Sequence, residues 1–479
     1  MGQMPRSQGA SAVLSDPLPR PAAGRPGMAI LAGDQDVSRG QMRQTVLNLA
    51  LPAIGEQVLA MTVGMVSTYM VGHLGADSLA AVGLANQAVF VAQTLAVAIA
   101  TGTTALVARQ IGAGDPTGAR RTLQQSMLAG VITGIAITLL MVSFSSATIS
   151  FFGAEASVHQ IGVAYLRIAV LSFPLQGVLF VGNGALRGSG DTRTPLYVMM
   201  LVNIVNVAIT YSLIKGLFGL PQLGVRGAAV GAASANILGG TLLLGILLRG
   251  RRHLRLTRTG WSPDWSVIGR VFNVGLPAGV EQLLMRVGGA VFVKVVASLG
   301  TSAVAAHSVA MNVQSMAFMP AFGFGIAATT LVGQALGAER PDRARMAVVE
   351  TLILCLIMLC VTGAALVLWA PHIIAIFIDD ATVIAMGAPC NRILGYCEPI
   401  VAVSIVISGV LRGAGDTRFT MLVMAVSMWL VRVPLSFLAA GPLGWGLQGV
   451  WIAMAVEMAA RAGAYAWRYR SGAWACLRI

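Results

Sequence analysis

RGSGDTR at 187–193 recurs as RGAGDTR at 412–418, six identities in seven at an offset of 225 residues. The same offset carries LPAIGEQ at 51–57 onto LPAGVEQ at 276–282, so that Glu281 answers Glu56. It also carries Leu74-Gly75 onto Leu299-Gly300 and Arg167 onto Arg392. The chain is therefore one unit used twice, and its fold is the fold of that unit plus the relation between two copies.

Composition names the solvent of the unit. Of 479 residues 56% are hydrophobic and only 10% charged, with a mean hydropathy of +0.78. Soluble domains carry about a quarter charged residues. Too few polar side chains exist to clothe a soluble enzyme of this size, and bulk disorder is excluded by the same apolar content. A bilayer core takes about 20 apolar residues per helix. Runs of that length recur twelve times, at 46–71, 79–107, 123–151, 158–185, 195–217, 224–248, 268–297, 303–332, 346–377, 384–410, 420–440 and 446–467. The sequence predicts an all-α polytopic membrane protein.

Six spans per copy is an even number, so both copies enter the membrane from the same side. That predicts two six-helix lobes related by a pseudo-two-fold axis along the membrane normal, a plan in which lobes rock around a shared cavity. The expected organisation is a disordered cytoplasmic tail (1–40), an N-lobe (41–248), a basic cytoplasmic linker (249–267), a C-lobe (268–470) and a cytoplasmic C-terminal tail (471–479). Loop charge sets the orientation. With the N-terminus inside, 25 of the 32 basic residues fall in cytoplasmic segments, as the positive-inside rule requires. Asp77, Glu155, Asp379 and Asp380 fall on the other side. Both termini are then cytoplasmic. The net charge of +14 is explained by these loops, and no nucleic-acid partner is implied. Thirty Arg to two Lys, with abundant Ala and Gly, reads as the coding bias of a bacterial genome, hence an inner-membrane location. The five cysteines form no CxxC pair, so neither a disulfide framework nor a metal site is expected.

Individual residues sharpen the reading. Glu56 and Glu281 lie inside apolar helices, where a carboxylate is costly unless it meets a wet cavity, a cation or a polar partner. They are candidate cation-coupling groups, or else they bond a neighbouring helix with help from Gln57 and Gln282. Glu398, before Pro399, is a third intramembrane acid. In the RGxGDTR segments, glycines suit a tight turn, Asp191 and Asp416 suit helix N-caps, and the arginines suit the headgroup region. Glu457 is spaced to pair with Arg461. Arg286 sits mid-helix, and Glu398 is the expected partner from another helix. If Arg286 faces the cavity instead, an anionic or zwitterionic substrate follows. Met285, Met311, Met316 and Met319 read as lipid-facing packing or as an adaptable binding surface. Gln87, Asn312 and Gln314 are cavity candidates because amides avoid lipid. His307 reads as a polar packing residue.

LALPAIGEQ (49–57), MVGHLG (70–75), ALRGSGDTR (185–193), NIVNVAITYSLI (203–214) and VLRGAGDTR (410–418) resemble the multidrug and toxic compound extrusion (MATE) family over about Gln44 to Arg470. The resemblance implies export of amphipathic, mostly cationic small molecules, driven by proton or sodium entry, by a monomer embedded in lipid and without further cofactor. It also implies an acidic coupling residue in the seventh helix, in some branches about one turn beyond Glu281. The N-lobe departs from the family pattern: Ser67 and Thr210 stand where aspartates are usual. Glu56 then takes the N-lobe role, or coupling has moved to the C-lobe. Asn203, Asn206 and Thr210 remain as neutral oxygen ligands or as interhelical hydrogen bonders. The rivals are a lipid-linked precursor flippase of the same superfamily and a membrane-embedded lipid-modifying enzyme. The first would have extra helices and a more cationic cavity, whereas this chain has twelve spans and a mixed set of cavity candidates. The second would need clustered nucleophiles, whereas the five histidines are scattered and no phosphate loop appears.

The topology has a direct test. Cysteines placed at 76–78 or 378–381 should react with an impermeant thiol reagent added outside intact cells, and cysteines at 187–193 or 251–258 should not. Outside labelling of the linker would overturn the orientation.

Overall fold

The two halves begin alike. Ser38 accepts from the Gln41 N–H, and the Gln41 side chain accepts from the Ser38 N–H at 3.0 Å, a capping box that opens α1 (Arg39–Gly72). Asp264 accepts from the N–H groups of Ser266 and Val267 and so opens α7 (Trp265–Ala297). The Ser266 hydroxyl and these first-turn N–H groups hold the Asp264 carboxyl below its usual range. Pro52 and Pro277 lie at matching points inside these helices. Gly75 and Gly300, with φ of +110° and +103°, make the sharp turns into α2 (Ala76–Gly112) and α8 (Thr301–Gly337). Only glycine adopts that backbone without strain. Pro116 and Pro341 occupy first-turn positions of α3 (Pro116–Ser143) and α9 (Pro341–Leu368), where a missing N–H costs nothing.

This computed structural model describes residues 37–219, 221–251, 254–257 and 259–477. The predicted tail falls mostly outside the described residues. The fourth span, α4, is a pair of helices, Ala156–Val170 and Phe173–Gly188, bent by 54°. Its counterpart α10 (Ala381–Ala414) is continuous. There follow α5 (Arg193–Lys215), α6 (Val225–Arg249), α11 (Thr417–Ala440, with a π-helical stretch Ser427–Arg432) and α12 (Gly446–Arg470). Among the described residues, nine helices are long and apolar enough to cross a membrane, and the bent pair makes a tenth. The two spans outside that set, α7 and α12, are those carrying Glu281, Arg286 and Lys294, and Glu457 and Arg461. The architecture is twelve transmembrane helices in two lobes of six, with no strands beyond an isolated Arg251–Leu254 bridge among the described residues.

Small residues set the fold's close contacts. Within the lobes, Thr104 donates to the Gly184 carbonyl at 3.0 Å, and Thr329 donates to Gly409 at 2.9 Å, the same bond one repeat later. Between the lobes, a Cβ on Gly102 would strike the Val271 carbonyl, and one on Gly275 would strike that of Ala98, so α2 meets α7 backbone to backbone. Gly323 of α8 meets Ala50 and Ile54 of α1 in the symmetry-related way. Gly112 abuts Gln334, and Gly337 abuts Arg109, closing α2 on α8. All these contacts lie in the halves of the helices next to the arginine-rich loops. The other halves part. A Cβ on Gly64 or its counterpart Gly289 would meet open space, and Gln87, Asn312 and Met316 are exposed. The result is a cleft open at the end away from the arginines.

The linker is strapped to the N-lobe. Gln124 donates to Thr257 and Thr259, Gln125 donates to Gly260 and Ser262, and the Asp264 N–H donates to the Gln125 side chain at 2.9 Å. Arg121 pairs with Asp264, and in the related place Arg43 of α1 pairs with the buried Glu350 of α9.

Overpacked helix contacts cost about 1–3 kcal/mol. Gly112→Val and Gly337→Val should each weaken closure at the arginine-rich end. A cysteine at Thr330 in a cysteine-free background should then react faster from that side than in the parent. Unchanged reactivity in both variants would show that this packing does not hold the end shut.

Candidate functional site

Glu56 lies at the middle of α1 and is 6% exposed, and Glu281 lies at the middle of α7 and is 4% exposed. Both face helices of their own lobe. Glu56 receives a charged hydrogen bond from Arg187 at the end of α4, and Glu281 receives one from Arg412 at the end of α10, at 2.7 Å. The arginines are the first residues of the two RGxGDTR segments. Expected in the headgroup region, they instead turn inward, with side chains only 23% and 27% exposed. The reason is electrostatic: a carboxylate desolvated in an apolar helix needs a cation more than a cation at the membrane edge needs water. Gln57 and Gln282 give no visible help to the glutamates; Gln57 reaches the Met319 sulfur.

Of the two N-caps expected at the RGxGDTR segments, one forms. Asp191 accepts from the Thr194 N–H at 3.0 Å and the Thr194 hydroxyl at 2.8 Å, capping the first turn of α5, and also pairs with Arg251. Asp416 makes no such cap and is held by Arg468 at 2.7 Å. The lobes also differ around the pairs. Thr420 donates to Glu281 at 3.2 Å, and Tyr465 donates to the Thr420 carbonyl, tying the C-lobe site to α11 and α12. The N-lobe segment instead bonds across the seam: Thr330 donates to the Arg187 carbonyl, and Gln334 donates to the Gly188 carbonyl at 2.8 Å. At the related positions stand Ala105 and Arg109, which give the C-lobe loop no matching pair of bonds.

The other candidates scatter. Glu398 is fully buried in the C-lobe against Gly363, with both carboxyl oxygens lacking hydrogen-bond partners, and it does not meet Arg286. Arg286 instead lies over the Phe90 ring of α2, 3.6 Å from its centroid, across the seam. Glu457 pairs with Arg461 at the predicted spacing and accepts from Ser427. Thr210 donates to Asn206 at 3.2 Å inside the N-lobe, where Asn203 is buried beside them on α5. Gln314 is buried in the C-lobe core rather than exposed, whereas Gln87 and Asn312 are exposed and Ser67 is half-buried. His307 is packed between Phe292 and Trp451. Reasoning from the sequence found the glutamates and missed their arginines, although an equal offset of 131 residues in each repeat was there to be read.

Removing one member of a buried ion pair typically costs about 3–5 kcal/mol, and the partial exposure of these arginines brings the figure down. Arg412→Gln should therefore lower the melting temperature of the purified protein more than the double replacement Glu281→Gln/Arg412→Gln, which leaves no lone charge. Equal losses would mean that the pair is not coupled in the folded protein.

Comparison with known proteins places this architecture. The MatE family model matches residues 52–212 and 277–438, one match per repeat. A probable multidrug resistance protein NorM of Thermotoga maritima is 32% identical over 435 residues, covering 91% of this chain and 93% of the relative. The multidrug resistance protein PmpM of Pseudomonas aeruginosa is 27% identical, covering 88% of this chain and 89% of the relative. A solved outward-facing structure of a multidrug resistance MATE family transporter of the MOP superfamily superimposes with a TM-score of 0.86 at 23% identity, covering 94% of this chain and 98% of that one. With both halves matched and a relative aligned over nearly its whole length, the chain belongs to the MatE family, the multidrug and toxic compound extrusion transporters.

Proposed function

We propose that the protein is a secondary antiporter of the bacterial inner membrane that expels amphipathic small molecules, organic cations among them, in exchange for protons or sodium. The observation that carries this reading is the pair of like lobes joined at one end and parted at the other. Such a pair has a mirror arrangement, closed where this one is open, and switching between the two moves a cargo across the membrane. The relatives are named as multidrug resistance proteins, which supports a broad, amphipathic cargo. With the arginine-rich loops in the cytoplasm, the cleft faces outward. Polar side chains exposed toward it, Gln87 and Asn312, supply neutral contacts for cargo.

Coupling is assigned to Glu281 first and Glu56 second. A proton or sodium ion arriving at either carboxylate competes with the guanidinium that now neutralises it. The loser of that competition is a freed arginine at the end of α4 or α10, next to the interlobe seam. Charge exchange is thereby linked to the contact that alternating access must break. Glu398, buried and unpartnered, is the third candidate, and Ser67, Asn203, Asn206 and Thr210 offer neutral oxygens in the N-lobe.

The test is efflux from proteoliposomes under imposed proton or sodium gradients. Glu281→Gln, at matched reconstitution and with its folding checked by thermal melting, should lose gradient-driven efflux while still binding dye. Glu56→Gln should lose less if only the C-lobe couples, and equally if both do. Wild-type rates with unchanged pH dependence in Glu281→Gln would remove it as the coupling site.

A further inference from the structure

We propose that Arg286 is an anion-binding group at the throat of the cleft, taking a carboxylate or sulfonate carried on the aromatic skeleton of an amphipathic cargo. This rests on the transporter reading above and adds the charge class of the molecule carried.

The position comes first. Val271, Gly275 and Gly279 form the face of α7 that packs on Gly102, Ala98 and Thr94 of α2. Arg286 lies two turns beyond Gly279 on that same face. Its guanidinium sits 3.6 Å from the centre of the Phe90 ring, which belongs to the opposite lobe. Arg286 is therefore on the seam between the lobes, at the level where their close contacts end, and it is exposed there.

Charge comes second. Among the described residues, Asp77 and Asp342 lie in first turns at helix ends, and the carboxylates deeper in the spans are already engaged or enclosed. Glu56 pairs with Arg187, Glu281 with Arg412, Glu350 with Arg43, and Glu457 with Arg461. Glu398 is 0% exposed within the C-lobe. An exposed cation thus stands at the throat with no carboxylate bonded to it. A cationic cargo at this point meets repulsion; an anionic group supplies the missing counter-charge.

Geometry comes third. The Phe90 ring covers one face of the guanidinium, a favourable contact that also fixes its plane. The N–H donors lie in that plane and stay free, in the fork that accepts a carboxylate or sulfonate through two hydrogen bonds. Met285, on the neighbouring position, and Met316, on α8 of the same lobe, are exposed. Their flexible thioethers suit an aromatic skeleton attached to the anion.

The experiment uses the full chain in lipid nanodiscs and two fluorescent dyes that share one aromatic skeleton, one sulfonated and one carrying a quaternary ammonium. The sulfonated dye should bind wild type more tightly than the cationic dye. Its affinity should fall about tenfold or more in Arg286→Gln, the loss expected for a charged hydrogen-bonded contact. Arg286→Lys should recover part of that loss, because it restores the charge without the fork. Equal binding of the sulfonated dye by wild type and a folded Arg286→Gln, or a wild-type preference for the cationic dye, would overturn the proposal. Where Arg286→Gln does not fold, the wild-type preference and Arg286→Lys decide it. Gradient-driven efflux by wild type separates this proposal from the transporter reading. Export of the cationic dye alone sinks the anion site, and export of neither dye sinks the transporter reading.

Discussion

A carboxylate in the middle of an apolar helix has to find a cation, and in this protein the same solution is used twice. Glu56 takes Arg187 and Glu281 takes Arg412. Each pair fastens the first helix of a lobe to its fourth, close to the end where the lobes meet. Truncating either partner strands a charge in a poor solvent, so the pair constrains every helix packed around it. The close glycine contacts of α2 with α7 and of α1 with α8 then set the lobes at a distance that bulkier residues would forbid.

Much of this was legible in the residues themselves. An offset of 225 residues predicts two like lobes, and the structure repeats helix starts, proline positions and the Thr104 and Thr329 bonds at that offset. The charge pattern of the loops and the twelve apolar runs needed no structure because solvent alone dictates them. The site was only half readable. A buried acid stands out in an apolar run, but its partner is chosen by packing between helices far apart in sequence. The arginines of RGxGDTR read as edge residues because the local sequence has no knowledge of Glu56 or Glu281. The charge pattern pairs Arg286 with Glu398, whereas its neighbour is an aromatic ring, Phe90, which no charge count can reveal.

The two lobes are alike in frame and unlike in detail. The N-lobe segment at Arg187 is bonded to α8 of the other lobe by Thr330 and Gln334, while the C-lobe segment is tied inward through Thr420 and Tyr465. A disturbance at Glu56 therefore has a short route to the seam between the lobes, and one at Glu281 has a short route to α11 and α12. The π-helical stretch Ser427–Arg432 lies on that second route, and π turns often accompany functional positions. Duplication supplied the scaffold, and divergence after it gave each copy its own mechanical connection.

The strap between the lobes has a consequence for how the chain is made. Leu254 and Leu256 are buried with N-lobe residues, and Gln124 and Gln125 hold the segment from Thr257 to Asp264. Each of these contacts joins residues that leave the ribosome before α7 is complete. The first lobe can therefore assemble together with its strap while the second is still being synthesised, as domains generally do. The strap then presents Asp264, the residue that starts α7, at a fixed point beside α3. The second lobe enters the membrane from an anchored start, and the search for its partner surface is shortened before its last five helices exist.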